Sequence, residues 1–254
     1  MKDLARFLQD KKIKYFDEIS STNTLLKEHA AKGESHNTIF VSEYQTAGRG
    51  RLGRSFFSPK GCGVYMSYLI RPDIAAESAL FITVVAAIAM IRALREILNI
   101  NAQIKWVNDI YFQDKKLCGI LTETSVKPDG MLDYAVLGIG INIKTPADGY
   151  PSEFAYKTTN IENITGPIAP RQKCELLACF INNFDIIFCD KERNFIKEYK
   201  EASCLMNREI EILSGEHKGF ATAIDIDNNA NLIVKKPDGS IASLYSGDVS
   251  IKFW

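Results

Sequence analysis

Apolar residues fall into two rhythms along the chain. Leu80, Phe81, Val84, Val85, Ile88, Ile91 and Leu94 recur at helical spacing and predict a long helix over 76–99 with one face on a sheet. Leu176, Leu177, Phe180, Ile181, Phe184, Ile187 and Phe188 predict another over 171–188, followed by a shorter one carrying Phe195, Ile196 and Tyr199. A short helix fits residues 1–12, with Leu4, Phe7 and Leu8 on one face. Ser20-Ser21-Thr22-Asn23 stands as an N-cap cluster ahead of Leu25 and Leu26. Runs at strand length occupy 13–18, 39–44, 63–70, 104–112, 116–123 and 133–144, with turns at Gln113-Asp114-Lys115 and Pro128-Asp129-Gly130. From about Met206 the rhythm changes to short strands at 209–213, 219–226, 231–235, 241–245 and 249–253. The order predicts a large α/β unit followed by a small all-β appendage of barrel size.

The polar interruptions are more informative than the apolar rhythm. Between the strands at 39–44 and 63–70 lies Gly48-Arg49-Gly50-Arg51-Leu52-Gly53-Arg54, with Lys60 beyond and no acid from Gln45 to Gly63. Glycines let backbone amides approach a ligand, and arginine forks supply uncompensated positive charge, so the loop suits a phosphate-bearing anion. It also spells G-x-G-x-x-G. A dinucleotide-binding turn would open into a helix, which Ser58-Pro59-Lys60-Gly61 prevents, and a kinase loop would carry valine where Ser55 stands. A nucleic-acid-binding arginine–glycine segment stays open on the loop alone.

Asn108-Asp109 breaks an apolar run, which either a turn or a site explains. Lys116 stands beside Gly119, where a ligand could meet the backbone. Gly138 and Gly140 occupy alternate positions of one strand, so a ligand or a crossing helix packs against that face.

Charge narrows the choice. Lys+Arg and Asp+Glu number 31 each, so the net charge is zero, and the concentrated positive loop favours a small anionic ligand over nucleic acid. Six cysteines without paired spacing, and no leader-like segment, are those of reduced thiols in a cytoplasmic protein. The apolar stretch 79–90 falls short of a membrane span and is followed by Arg92 and Arg95.

Five segments in order resemble the biotin–protein ligases, also called biotin–[acetyl-CoA-carboxylase] ligases. They are Ser21-Thr22-Asn23, Gln45-x-Ala47-Gly48-Arg49-Gly50-Arg51-x-Gly53-Arg54, Lys105-Trp106-x-Asn108-Asp109, Lys116-x-x-Gly119-Ile120-Leu121 and Gly138-x-Gly140-Ile141-Asn142. The resemblance implies an α/β (α+β) catalytic domain over 1–203, with a mixed sheet of class II aminoacyl-tRNA synthetase type, and an SH3-like barrel over 204–254. It implies that biotin and ATP are the substrates, with Mg²⁺, and that biotinyl-5′-AMP is formed before transfer to a lysine of a biotin carboxyl carrier protein domain. With no helix-turn-helix ahead of residue 13, it implies a ligase-only member that binds neither DNA nor membrane; a homodimer is among the assemblies it allows.

Carried over residue by residue, the resemblance places Ser21, Thr22, Asn23, Gln45, Gly48, Arg49, Gly50 and Arg51 around biotin, over a floor of Gly138 and Gly140. Arg51, Arg54, Lys116, Asn108 and Asn142 fall on the nucleotide side. Arg51, Lys116 and Asp109 are the catalytic candidates, with Asp109 either orienting its neighbours or helping to hold Mg²⁺; the metal ligands stay undefined. Leu52 replaces an arginine common in the family, Phe56 a frequent tryptophan, and Val107 a frequent proline. Three rivals remain: an acyl-ligase of the same fold acting on lipoate or another small acid, a nucleic-acid-binding module, and a non-catalytic ligand-binding relative.

Overall fold

The computed structural model describes residues 2–190, 192–245 and 249–251. A single 3₁₀ turn at Lys2–Arg6 replaces the expected N-terminal helix, burying Leu4 and Leu8 and leaving Phe7 at the surface. β1 (Lys12–Phe16) runs parallel to β2 (Thr38–Ser42). Between them lies α1 (Thr22–Ala31), capped by Ser21, whose backbone is extended, whose side chain accepts the Thr24 amide and whose carbonyl accepts the Leu25 amide.

β3 (Gly63–Ile70), β4 (Gln103–Lys105), β5 (Asp109–Phe112), β6 (Lys115–Val126) and β7 (Leu132–Asn142) complete a seven-stranded sheet in the order β1-β2-β3-β7-β6-β5-β4. Every pair after the first is antiparallel, so the sheet is mixed. The expected broken strand over 104–112 is a hairpin: β4 pairs with β5, and Trp106–Asn108 make the turn. The Asn108-Asp109 break is therefore both a turn and, as shown below, part of a cavity wall.

α2 (Leu80–Leu98) follows a 3₁₀ turn at Ala76–Ala79 and stops at Asn99, whose left-handed conformation lets the Asn99 and Ile100 amides reach the last-turn carbonyls. The segment Ala76–Leu98 is long and apolar enough to cross a membrane by length and composition. Its burial against the sheet and a later helix over Pro170–Phe188 accounts for that character. The connection 146–170 carries two short helices, α3 (Ser152–Ala155) and α4 (Ile161–Thr165). α5 (Pro170–Phe188) and α6 (Phe195–Glu201) then pack with α2 on one face of the sheet.

Alternation along β3, β6 and β7 separates the two faces. Met66, Tyr68, Ile120, Leu137 and Ile139 enter the main core under α2 and α5. Tyr65, Ser67, Gly119, Leu121, Gly138 and Gly140 occupy the intervening positions, on the face that α1 covers through Leu26 and Ala30. Register aligns Gly119 with Gly140, and Gly138 with both Leu121 and Ser67.

The appendage holds β8 (Glu209–Ile212), β9 (Gly219–Ile226), β10 (Leu232–Lys235), β11 (Ile241–Leu244) and β12 (Val249–Ile251), antiparallel in the order β11-β10-β9-β8-β12. Residues 252 and 253 of the last expected strand lie outside the described residues. The Ile104 amide donates to the Ala202 carbonyl at 2.8 Å, and the Trp106 indole to the Ala230 carbonyl at 2.9 Å. Arg208 pairs with Asp114 at 2.7 Å. The buried apolar cluster continues from under α2 into Ile210, Ile212, Ala223 and Leu232.

Candidate active site

The arginine–glycine loop folds into a narrow hairpin. The Phe56 amide donates to the Gly48 carbonyl at 2.8 Å and the Gly50 amide to the Arg54 carbonyl at 2.7 Å, with Arg49 bridged to Ser55 between them. The tip is a 3₁₀ turn at Arg51–Gly53, with Leu52 and Gly53 at positive φ. A side chain at 48 would collide with the Phe56 carbonyl and the Ser58 hydroxyl, so glycine there is what closes the neck. Two amides at its base, Thr46 and Ala47, donate to the Ile19 and Ser20 carbonyls just ahead of α1.

A first cavity lies on the α1 face of the sheet, beneath this hairpin. Around it the structure brings Ser21, Thr22, Asn23, Gln45, Arg49, Gly50, Arg51, Asn108, Lys116, Gly138 and Gly140, together with Phe56, Met66 and Gly119. Its polar groups are largely engaged with each other. Gln45 Oε1 accepts from the Thr22 amide at 2.9 Å and the Thr22 hydroxyl at 3.2 Å, while Gln45 Nε2 donates to Ser58 at 3.1 Å. Ser67 hydrogen-bonds the Thr22 hydroxyl at 2.8 Å and Asn23 Oδ1 at 2.5 Å. This network fixes rotamers, so the wall is set before a ligand arrives.

The glycine floor is covered by protein. Side chains at 119 or 140 would run into the Phe56 ring, and one at 138 into the Asn23 amide. The enclosed space left is about 60 Å³, against ~300–1,000 Å³ for common small-molecule sites. The Phe56 ring stands where a ligand resting on Gly119 and Gly140 would lie.

A second cavity of about 470 Å³ adjoins the first, between the hairpin, β5, α3 and the appendage. Arg51, Arg54, Asn108, Asp109 and Lys116 line it, and so do Lys105, Lys157 and, from the appendage, Leu213 and Val249. Asn108 is the joint between the two spaces. Its Oδ1 accepts from Arg51 Nη1 at 2.9 Å, and its Nδ2 donates to the Ile120 carbonyl at 2.8 Å and to Asp109 at 3.2 Å. Asp109 in turn lies 2.6 Å from Lys116 Nζ, which sits 5.7 Å from the Phe56 ring centroid. Asn108 and Asp109 thus aim the two cations, as an orienting pair would.

Asn142 lines not the second cavity itself but an adjoining recess with Phe57 and Tyr150, which shares Ser55, Phe56, Lys116, Phe154 and Thr158 with it, and the Asn142 amide donates to the Thr159 carbonyl at 3.1 Å. Gly48 lines none of these spaces and works through the hairpin neck. Among the described residues no three His, Cys, Asp or Glu side chains cluster to hold a metal.

Ser67 and Glu123 had not stood out in the sequence. Ser67 is the single hydroxyl-bearing aliphatic position inside the buried run Gly63–Ile70, and that polar break was its available signal. Glu123 hid in a strand whose outer part is polar.

A model of the biotin/lipoate A/B protein ligase family matches residues 15–142, and one of the biotin protein ligase C-terminal domain matches residues 205–252. The bifunctional ligase/repressor BirA of Bacillus spizizenii is 32% identical over 247 residues, covering 93% of this chain and 73% of that protein. A biotin–[acetyl-CoA-carboxylase] ligase of Paracoccus denitrificans is 34% identical over 152 residues, 58% of this chain and 62% of that one. The structure of Aquifex aeolicus biotin protein ligase in complex with biotin and ATP superposes with a TM-score of 0.79 at 29% identity, covering 95% of this chain and 99% of that one.

Proposed function

The chain belongs to the biotin/lipoate A/B protein ligase family, and on that premise we propose how its two cavities divide the work of attaching biotin to a carrier protein. The protein is a biotin–protein ligase, as its relatives are. The readings as a lipoate ligase and as a module that only binds nucleic acid are not favoured, since the Paracoccus relative and the Aquifex structure are named as biotin ligases. Biotin takes the first cavity, with its ring system against Ser21, Thr22, Asn23, Gln45 and the glycine floor. ATP takes the second, with adenine towards Asn142 and the phosphates towards Arg51, Arg54 and Lys116.

One observation carries this division. Gly50, Arg51, Phe56, Asn108 and Lys116 line both cavities, so the two spaces meet where two cations stand. That is what the first step requires. The biotin carboxylate oxygen attacks the α-phosphorus, the bond to the β-phosphate oxygen breaks, and pyrophosphate leaves. Two anions must approach, and Arg51 and Lys116, held by Asn108 and Asp109, offset the developing charge without reorganising. In the second step a lysine amine of the carrier attacks the acyl carbon, AMP leaves, and the amine's proton is lost.

Mg²⁺ would enter on the phosphates; such ions keep several waters and need only one or two protein carboxylates. Asp109 and Asp114 are the carboxylates lining the second cavity, paired with Lys116 and Arg208 respectively. The division into 1–203 and 204–254 accords with this scheme, the appendage closing one side of the nucleotide space through Leu213 and Val249.

The test is transfer itself. Incubated with biotin, ATP, Mg²⁺ and a biotin carboxyl carrier protein domain, the chain adds one biotinyl group to one carrier lysine, read by intact mass and peptide mapping. Modification with lipoate in place of biotin would reassign the substrate; no modification with either would reject the reading.

A further inference from the structure

β6 presents Gly119, Leu121 and Glu123 at alternate positions on the cavity face. The first two line the cavity, and Glu123 stands just behind its wall. Its side chain is only 13% exposed, yet it is ionisable, so its partners decide whether it is tolerated. It has three, from two elements. Oε1 lies 2.7 Å from Lys27 Nζ and 3.4 Å from Arg49 Nη2, and Oε2 accepts from Asn23 Nδ2 at 3.1 Å. Asn23 and Lys27 are four residues apart and share a face of α1. Arg49 comes from the hairpin.

We propose that Glu123 is the positioning residue that latches the arginine–glycine hairpin over the biotin cavity, through Arg49, while setting the orientation of the Asn23 amide. This rests on the assignment of the first cavity to biotin.

The orientation follows from donors and acceptors. With Asn23 Nδ2 committed to Glu123 and, at 3.3 Å, to the Leu121 carbonyl, Asn23 Oδ1 turns to Ser67 and over Gly138. The biotin end of the cavity therefore shows an oxygen, and not an amide donor, at that point. The latch follows from redundancy on Oε1. Lys27 and Arg49 both reach the same oxygen, and Lys27 is the closer. When the hairpin lifts, Arg49 leaves but Lys27 and Asn23 remain, so opening does not strand a buried bare carboxylate. Burial raises the pKa of Glu123, but Lys27, Asn23 and Arg49 more than offset it and hold the group ionised. A contact that can be released without exposing an unpaired charge is what a reversible closure needs.

The contact is half exposed on its Arg49 side, so its expected worth is that of a surface pair, up to about fivefold in a rate. The test uses the full chain loaded with biotin, ATP and Mg²⁺, and follows release of the labelled adenylate. Glu123→Gln and Arg49→Gln are each expected to release it about fivefold faster. The double variant is expected to stay within about twofold of Glu123→Gln, since Arg49→Gln then has no Glu123 contact left to remove. Lys27→Gln, which leaves Arg49 as the sole cation on Oε1, is expected to release no faster than wild type.

Independent, multiplying effects of Glu123→Gln and Arg49→Gln would overturn the latch. So would release within twofold of wild type in either variant, or acceleration by Lys27→Gln equal to that of Glu123→Gln. Arg49 is exposed enough that its variant tests the latch even if Glu123→Gln folds poorly. Failure of the wild type to form any adenylate is a separate outcome; it removes the biotin assignment and the latch with it.

Discussion

Lys116→Met separates a catalytic charge from a lysine that merely packs. The methionine keeps most of the aliphatic stem against the Phe56 ring and Gly119 while deleting the ammonium. The magnitude follows from position. A unit charge ~4 Å from a phosphate oxygen is worth about 4 kcal/mol at the effective dielectric of a partly open protein site. Asp109, at 2.6 Å, neutralises part of that field, and Lys116 remains 29% exposed. Removing one preorganised charge-stabilising donor costs ~10²–10³ in rate, about 3–4 kcal/mol; the Asp109 offset places this one near the lower bound.

The effect should fall on the chemical step, because the charge matters most as the carboxylate closes on phosphorus. Single-turnover adenylation, with biotin affinity measured alongside by titration, checks both halves. The expected pattern is about a hundredfold slower adenylation with biotin binding within a few-fold of wild type. Adenylation at the wild-type rate, or a loss confined to biotin affinity, would refute the placement of Lys116 at the junction.

Other outcomes follow from the fold. Gly138→Ala drives a methyl into the Asn23 amide, so biotin affinity should fall by about tenfold or more and stability by ~1–3 kcal/mol; unchanged binding in a titration would free Asn23 from the cavity wall. Trp106→Phe removes the indole donor to the Ala230 carbonyl and should cost about 1–3 kcal/mol in denaturant unfolding, while an unmoved midpoint would show that the appendage is held by other contacts. The Lys12 ammonium, with His29 and Lys14, holds the Glu34 carboxyl down at about 2 against an ordinary 4.5. A depressed carboxylate stabilises the fold above 4.5, and that contribution is lost as pH falls from 4.5 through 2. Glu34→Gln should therefore be the less stable protein near neutrality and should flatten the acid limb of a melting-temperature profile; parallel profiles for the two proteins would contradict it.

Much of this was legible in the chain because local rules and tertiary demands agreed. The helical spacing from Leu80 to Leu94 and from Leu176 to Phe188 gave the two helices of one face, and the glycine–arginine loop stood out as a run of cations with no acid from Gln45 to Gly63. Two glycines at alternate positions signalled a close approach in β7. What the spacing left unsaid was what approaches them. The Phe56 ring and the Asn23 amide lie there, and both come from segments distant in sequence. The 104–112 run looked like one interrupted strand because a three-residue turn between short strands has the same apolar density as a strand. Trp106 belonged to a family motif, but its indole reaches the Ala230 carbonyl, 124 residues away, a partner that no local pattern can indicate. Asn108 read as a nucleotide-side residue and Asp109 as one that orients its neighbours or helps hold Mg²⁺; in the structure Asn108 accepts from Arg51 and Asp109 pairs with Lys116.

The central claim is that the two cavities meet so that a carboxylate and a nucleotide can react at Arg51 and Lys116. Exchange of labelled pyrophosphate into ATP measures that meeting directly, without any carrier protein. Exchange should require biotin and Mg²⁺ and fall by about a hundredfold in Lys116→Met. Exchange that proceeds without biotin, or that lipoate supports and biotin does not, would contradict it.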